Sequence, residues 1–177
     1  MEKLLNRENK YQGKILDLCV DDVIIDDKDQ SIREVILHNG GVCIALKDLS
    51  DNKYFLVKQY RYVQKREMLE FAAGKIEKDE DIDLAIKREA QEELGYEVNN
   101  LKKLGKMIPT CAYSSEVIHL YYGETGKYVG QDFDEDERIE VLKYSFNEIK
   151  ELIKKGIIED AKTIALMYHI EIGGIDA

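Results

Sequence analysis

The sequence predicts an α+β fold: one mixed β-sheet with few helices, preceded by a strand-rich N-terminal region. Three observations carry this expectation. Up to about residue 60 the apolar residues are Val, Ile and Leu in short, partly alternating runs. Helical spacing first shows at about 80–94, and afterwards only near the C-terminal end. Helices do not follow strands in turn, so a mixed sheet with few helices fits better than a regular βα alternation.

Taken in order, residues 14–25 and 32–38 read as strands, and 1–40 is expected to form a strand region of its own. The strand reading begins at Lys14, and residues 1–13 are given no element. Strands at 41–49 and 54–60 flank Ser50-Asp51-Asn52-Lys53, a hairpin turn by composition. A short apolar run covers 68–72. From about residue 80, Ile82, Ala85, Ile86, Ala90 and Leu94 follow one helix face, with Asp79 or Asp81 as the cap and Gly95 just past the end. Strands are expected at 98–107, 116–123 and 138–145, and closing helices at 147–155 and 160–170, the latter opening at Asp160. In that last helix the stripe Ala161, Ile164, Ala165 and Tyr168 reads as core or dimer contact. No repeat or Gly/Ser/Pro-rich linker interrupts the chain, whose one proline is Pro109.

The 177 residues include 36 Asp and Glu against 26 Lys and Arg, a formal net charge of −10. So negative a surface repels nucleic-acid phosphates and anionic lipid, so neither is expected as a partner. The longest uncharged run, 35–46, falls far short of the ~20 residues a membrane-spanning helix needs. The start of the chain does not read as a secretory signal. Cys19, Cys43 and Cys111 form no CxxC, and because two of the three sit in apolar strand-like contexts, buried reduced thiols are expected over a redox role. The expected location is the cytoplasm.

The acids are gathered rather than scattered. At about 100° per residue, Glu89, Glu92 and Glu93 occupy roughly one face of the helix, with Arg88 beside them. A solvated acidic face is the plain alternative. Energetics argue against it: like charges at i,i+3 and i,i+4 cost about 0.2–0.5 kcal/mol each. Glu92 and Glu93 also stand in the last turn, where the helix dipole disfavours a carboxylate by about 0.3–1 kcal/mol. Divalent cations would supply the missing charge, and hard carboxylate oxygens suit Mg²⁺ or Mn²⁺. Gly74, ahead of the helix, lets loop backbone approach that face, where the Ala73 carbonyl can add one more oxygen.

These residues resemble the Nudix box, G-x5-E-x7-R-E-U-x-E-E-x-G-U with U apolar, at every fixed position: Gly74, Glu80, Arg88, Glu89, Glu92, Glu93 and Gly95. Ala90 and Tyr96 fill the U positions. The resemblance implies an α/β/α sandwich around a mixed sheet, with 41–177 as the hydrolase domain. It implies Mg²⁺- or Mn²⁺-dependent hydrolysis of a nucleoside diphosphate joined to another moiety. By the same resemblance Glu89 and Glu93 are the principal metal ligands, joined by Glu92 and the Ala73 carbonyl. Arg88 holds the carboxylates in position, Glu80 supports them, and Arg88 and Glu92 count with the catalytic group.

Outside the box, 57–62 and 69–74 resemble the segment leading into it in ADP-ribose pyrophosphatases, 109–116 a proline-containing loop of theirs, and 156–163 their closing helix. Ala72 stands where that subfamily usually has proline, and a Pro-Gly pair near Cys111-Ala112 is absent, which bears on substrate preference more than on hydrolysis. In the resembling enzymes the general base comes from an acidic loop after the box. Here that is 131–137, with Glu135 and Glu137 the candidates: one would activate water while the other, Glu137 in the metal set, touches a metal. Arg61 is read as a phosphate or ribose clamp, since a guanidinium fork matches phosphate oxygens. Arg33 and Glu34 are candidates for the adenosine end, and Tyr60 and Tyr113 for the pocket wall. His38, His119 and His169 receive no role. The expected substrate is ADP-ribose, cut to AMP and ribose 5-phosphate. The alternatives are another nucleoside diphosphate derivative (a sugar nucleotide, dinucleotide or flavin cofactor) or a non-catalytic ADP-ribose sensor. The resemblance also implies a homodimer whose N-terminal strands pack on the partner.

Overall fold

The computed structural model describes residues 1–133 and 138–175. They fall into two compact units, 1–40 with 108–117, and 41–107 with 118 onward.

In the first unit β1 (Glu2–Gln12), β2 (Asp17–Ile25) and β3 (Asp29–Leu37) form an antiparallel sheet in that order. Strand β1 was not assigned from sequence, because it is exposed along its whole length and shows no apolar alternation. It pairs with β2 from Glu2↔Ile25 to Gln12↔Asp17. Its charges find partners there: Arg7 forks onto the buried Asp21 at 2.7 and 2.6 Å, and Lys3 meets Asp27 at 2.6 Å. Segment 108–117 joins this unit where the Ile36 N–H donates to the Tyr113 carbonyl at 2.7 Å.

The second unit is built on β4 (Gly41–Asp48), β5 (Lys53–Arg61), β6 (Arg66–Glu70), β7 (Ala72–Lys75), β8 (Tyr96–Met107), β9 (Ile118–Tyr128) and β10 (Ile139–Tyr144). The path runs β10-β5-β4-β9-β8; β4 and β9 are parallel and the other pairs antiparallel, so the sheet is mixed. Side chains alternate along each strand, and both faces are covered. Cys43 and Ala45 of β4, Tyr54 and Leu56 of β5, and Leu120 and Tyr122 of β9 enter one apolar core with α2 (Phe146–Lys154) and α3 (Ala161–Ile172). Val42, Ile44 and Leu46, Phe55 and Val57, and Tyr121 enter a second core with α1 (Ile82–Glu89) and the turn that follows it. This is the α/β/α layering that the Nudix resemblance implies.

Strands β4 and β5 pair only beside their hairpin, at Lys47↔Tyr54 and Asp48↔Lys53. Farther along, β6 pairs with β5 and β7 with β4, so the run 66–75 fills the space where they part. The short strand expected at 68–72 is therefore two, and Gly74, expected in a loop, lies in strand β7. Asp81 caps α1, accepting from the Asp83 and Leu84 N–H groups, whereas Asp79 takes a positive φ of 63° in the approach. In α3 the buried residues are Thr163, Leu166, Met167 and Ile170; of the expected stripe Ala165 packs on the core, while Ile164 and Tyr168 are exposed, which corrects the core reading for those two. Cys19 and Cys43 are buried and Cys111 exposed, all three free thiols. No helix among the described residues is long and apolar enough to cross a membrane.

Candidate active site

The box occupies β7, α1 and a five-residue π turn, Ala90–Leu94. The helix the sequence predicts at 80–94 therefore changes winding at Ala90, and the uniform 100° spacing holds only as far as Glu89. Single π turns of this kind are uncommon and recur at functional sites. Gly95 closes the turn in the left-handed conformation, φ 81°, which a side chain would strain. Two carbonyls at this end gain partners from the segment after β9. The Gln131 side-chain amide donates to the Glu93 carbonyl at 2.8 Å, and the Asp132 N–H to that of Glu92 at 3.0 Å.

Arg88 knits the carboxylates together. Its Nε and Nη2 donate to the two carboxylate oxygens of Glu80 at 2.9 and 3.0 Å. Its Nη1 donates to both Glu89 and Glu92 at 2.9 Å, and Nη2 also reaches the Lys75 carbonyl at 3.1 Å. The fork on Glu80 holds that carboxyl below its ordinary range, and the same contacts raise the Arg88 guanidinium. Glu93 is 3% exposed, and one of its oxygens accepts the Ala73 N–H at 3.1 Å. Gly74 meets Glu89 directly: a Cβ built there would stand 1.8 Å from the Glu89 carboxyl carbon. Backbone and carboxylate thus come as close as only glycine allows.

A second charged group flanks the box. Arg61, at the end of β5, donates from Nε and Nη2 to the two oxygens of Glu70 at 2.8 and 2.7 Å. Glu70 is 2% exposed and also accepts the Lys162 ammonium. Burial pushes the Glu70 carboxyl up, but Arg61 and Lys162 together hold it below its ordinary value. The Arg61 guanidinium is raised by its bond to Glu70, with Glu93 adding to the effect, which puts Arg61 within electrostatic reach of the box. Sequence reasoning gave Asp160 the cap of the last helix, which the structure bears out, and assigned no part to Glu70, Gln131, Lys162 or Thr163. The only signal available was their place in segments that resemble the subfamily.

The structure brings Ala73, Gly74, Glu80, Arg88, Glu89, Glu92 and Glu93 together, with Arg61 at their flank. Tyr60 precedes Arg61 on β5 and is exposed. Arg33, Glu34 and Tyr113 belong to the first unit, where the Arg33 guanidinium is held by Glu2 at 3.0 and 2.6 Å and Glu34 and Tyr113 are exposed. Glu135 and Glu137 lie outside the described residues. Among the described residues no three His, Cys, Asp or Glu side chains form a ready cation cage. The donors nonetheless fit a hard divalent ion in kind: Glu89, Glu92 and Glu93 offer carboxylate oxygens alone, and Gly74 leaves room for backbone beside Glu89.

The NUDIX domain matches residues 37–167. The chain is 32% identical over 173 residues to the methanol dehydrogenase activator of Bacillus methanolicus, and 30% identical over 173 residues to the ADP-ribose pyrophosphatase of Bacillus subtilis. Each alignment covers 97% of this chain and 93% of the relative. The GDP-mannose pyrophosphatase of Cronobacter sakazakii is 32% identical over 81% of this chain and 79% of its own. A solved structure described as an ADP compounds hydrolase superposes with a TM-score of 0.84 at 18% identity, covering 99% of this chain and 96% of that one, which shows the shared fold. With its box complete and knit through Arg88, the chain belongs to the Nudix family and is a Nudix hydrolase of the ADP-ribose pyrophosphatase-like kind.

Proposed function

We propose that this enzyme hydrolyses the pyrophosphate of ADP-ribose, giving AMP and ribose 5-phosphate, with Mg²⁺ or Mn²⁺ held by Glu89, Glu92 and Glu93 and the Ala73 carbonyl. The observation that carries the reading is the complete set of box carboxylates, with Glu80, Glu89 and Glu92 tied to Arg88 at 2.9–3.0 Å and Glu93 accepting the Ala73 N–H at 3.1 Å. ADP-ribose is put ahead of a sugar nucleotide because the ADP-ribose pyrophosphatase relative aligns over 97% of the chain and the GDP-mannose pyrophosphatase over 81%. A sensor that only binds would have no use for the full carboxylate set.

The bound ion, when present, would neutralise pyrophosphate charge and lower the pKa of a coordinated water. The chain's own residues supply position and field. Arg88 fixes Glu89 and Glu92, so their oxygens need no reorganisation when substrate arrives. Arg61 presents a guanidinium beside the box to a phosphate oxygen of the substrate. Glu135 or Glu137, by resemblance, accepts the proton of the attacking water. The water oxygen bonds to one phosphorus, the bridging P–O bond breaks, and the bridging oxygen leaves on the other phosphate. We further read the enzyme as a cytoplasmic homodimer in which the β1–β3 sheet, with Leu4, Leu5 and Tyr11 exposed, meets the partner.

The test is a panel of nucleoside diphosphate derivatives (ADP-ribose, a GDP-sugar, a dinucleotide and a flavin dinucleotide) assayed for released monophosphate with Mg²⁺ and with chelator. ADP-ribose should give the highest kcat/KM, and only with the metal. A preference for another member would move the substrate, and no turnover of any would sink the reading. In the same assay one of Glu135→Gln and Glu137→Gln should be much the slower. Two equal, mild effects would place the base elsewhere.

A further inference from the structure

Lys162 is a buried ammonium that the hydrolysis above does not use. Its side chain is 12% exposed, and it lies between two carboxylates, Glu70 and Asp160, with Nζ 2.9 Å from Asp160 Oδ1. Asp160 is itself fixed, because it caps α3. Its Oδ2 accepts from the Thr163 N–H at 2.9 Å and the Thr163 hydroxyl at 2.6 Å. The same hydroxyl oxygen accepts the Phe71 N–H at 2.9 Å, one residue beyond Glu70. Backbone and side chain of the Glu70 segment are therefore both tied to the first turn of α3. Arg61 is the exposed member of the group, with a side chain 40% exposed against 2% for Glu70.

Charge sharpens the point. Glu70 accepts two cations through one carboxylate, Arg61 on both oxygens and Lys162 on Oε2. With Lys162 present, the four groups Arg61, Lys162, Glu70 and Asp160 balance, and Glu70 is not left to Arg61 alone. Without it, the buried Glu70 and the part-buried Asp160 would be left with a single guanidinium next to an already acidic box. Arg61 would be drawn inward and its field toward an incoming anion cancelled.

We propose that Lys162 is a positioning residue: acting through Glu70, it sets the aim and the effective charge of the Arg61 guanidinium that receives the substrate's phosphate. This rests on the reading of Arg61 as the phosphate clamp. Lys162 touches no substrate, since Glu70 stands between it and Arg61.

The experiment is a double-mutant cycle on the full chain: wild type, Arg61→Ala, Lys162→Met and the double variant. ADP-ribose affinity is measured by calorimetry with chelator present, and kcat and KM with Mg²⁺. Lys162→Met should weaken Kd and raise KM by on the order of tenfold to a hundredfold, with kcat changed less. The double variant should bind no more weakly than Arg61→Ala, because both substitutions remove one function. Lys162→Gln keeps a donor toward Glu70 without the charge; it should fall between wild type and Lys162→Met, and it carries the cycle if Lys162→Met does not fold. Losses that multiply in the double variant, or a Lys162 variant that binds like wild type, overturn the proposal while leaving the clamp intact. An unaffected Arg61→Ala would instead remove the clamp itself, and the positioning role with it.

Discussion

Gly74 and Glu89 meet so closely that the residue type at 74 is dictated by the carboxylate above it. Gly74→Ala would place a methyl 1.8 Å from the Glu89 carboxyl carbon, so Glu89 must move. An ångström of misplacement at a reacting centre costs on the order of 10²-fold in rate. Gly74→Ala should therefore lose about that factor in kcat with little change in melting temperature, as activity and thermal denaturation of one preparation would show; full activity would remove the contact from the site. Glu80 makes a prediction about pH. Its folded pKa lies below the ordinary 4.5 because Arg88 donates to both its oxygens. Its contribution to stability is full above about pH 4.5 and is lost as pH falls through the lower, folded value. Denaturant midpoints of wild type and Glu80→Gln should converge as pH drops below 4.5, and parallel curves would contradict this. The box was legible in sequence because its residues lie within one short segment at set spacing. The Glu70–Lys162 contact was not, since its two ends lie 92 residues apart and only folding brings them together.

At the scale of elements, a periodic pattern reports apolar faces and says little about winding. It placed the box helix, yet the change to a π turn at Ala90 left no mark in the apolar positions, because Ala90 and Leu94 remain buried either way. The same blindness misplaced the face of α3. Thr163, a polar residue, is fully buried, satisfied by Asp160 and Phe71, while the apolar Ile164 and Tyr168 are turned outward. Strand β1 escaped for a related reason: its pairing is carried by backbone and by charge pairs such as Arg7–Asp21. Thr163→Val tests the tie between α3 and the β6–β7 run. It keeps the shape but leaves the buried Phe71 N–H without its acceptor, which should cost about 1–3 kcal/mol by chemical denaturation. A cost near zero would mean that α3 does not depend on that tie.

Over the whole molecule, the net charge of −10 argues against polyanion partners, yet in the proposed function an acidic enzyme acts on an anionic pyrophosphate. Part of the excess stands at one helix end, where bound cations would offset it, and at the flank Arg61 and Lys162 balance the charges of Glu70 and Asp160. The layered fold came into the sequence reading through the resemblance of the box, and the structure accounts for it in β4, β5 and β9, which bury alternate residues on opposite faces. The assembly was not, since β1 exposes nearly everything it has. Light scattering should give twice the chain mass, and a monomer that turns over ADP-ribose at the full rate would remove the dimer from the account. The central claim is pyrophosphate hydrolysis at the box carboxylates, and Glu93→Gln tests it most directly. The amide oxygen can still accept the Ala73 N–H, so the fold should stand while a carboxylate ligand is lost. Released AMP from ADP-ribose with Mg²⁺, measured for wild type and Glu93→Gln side by side, should fall by orders of magnitude in the variant at an unchanged melting temperature. A variant that releases AMP as fast as wild type would contradict the account.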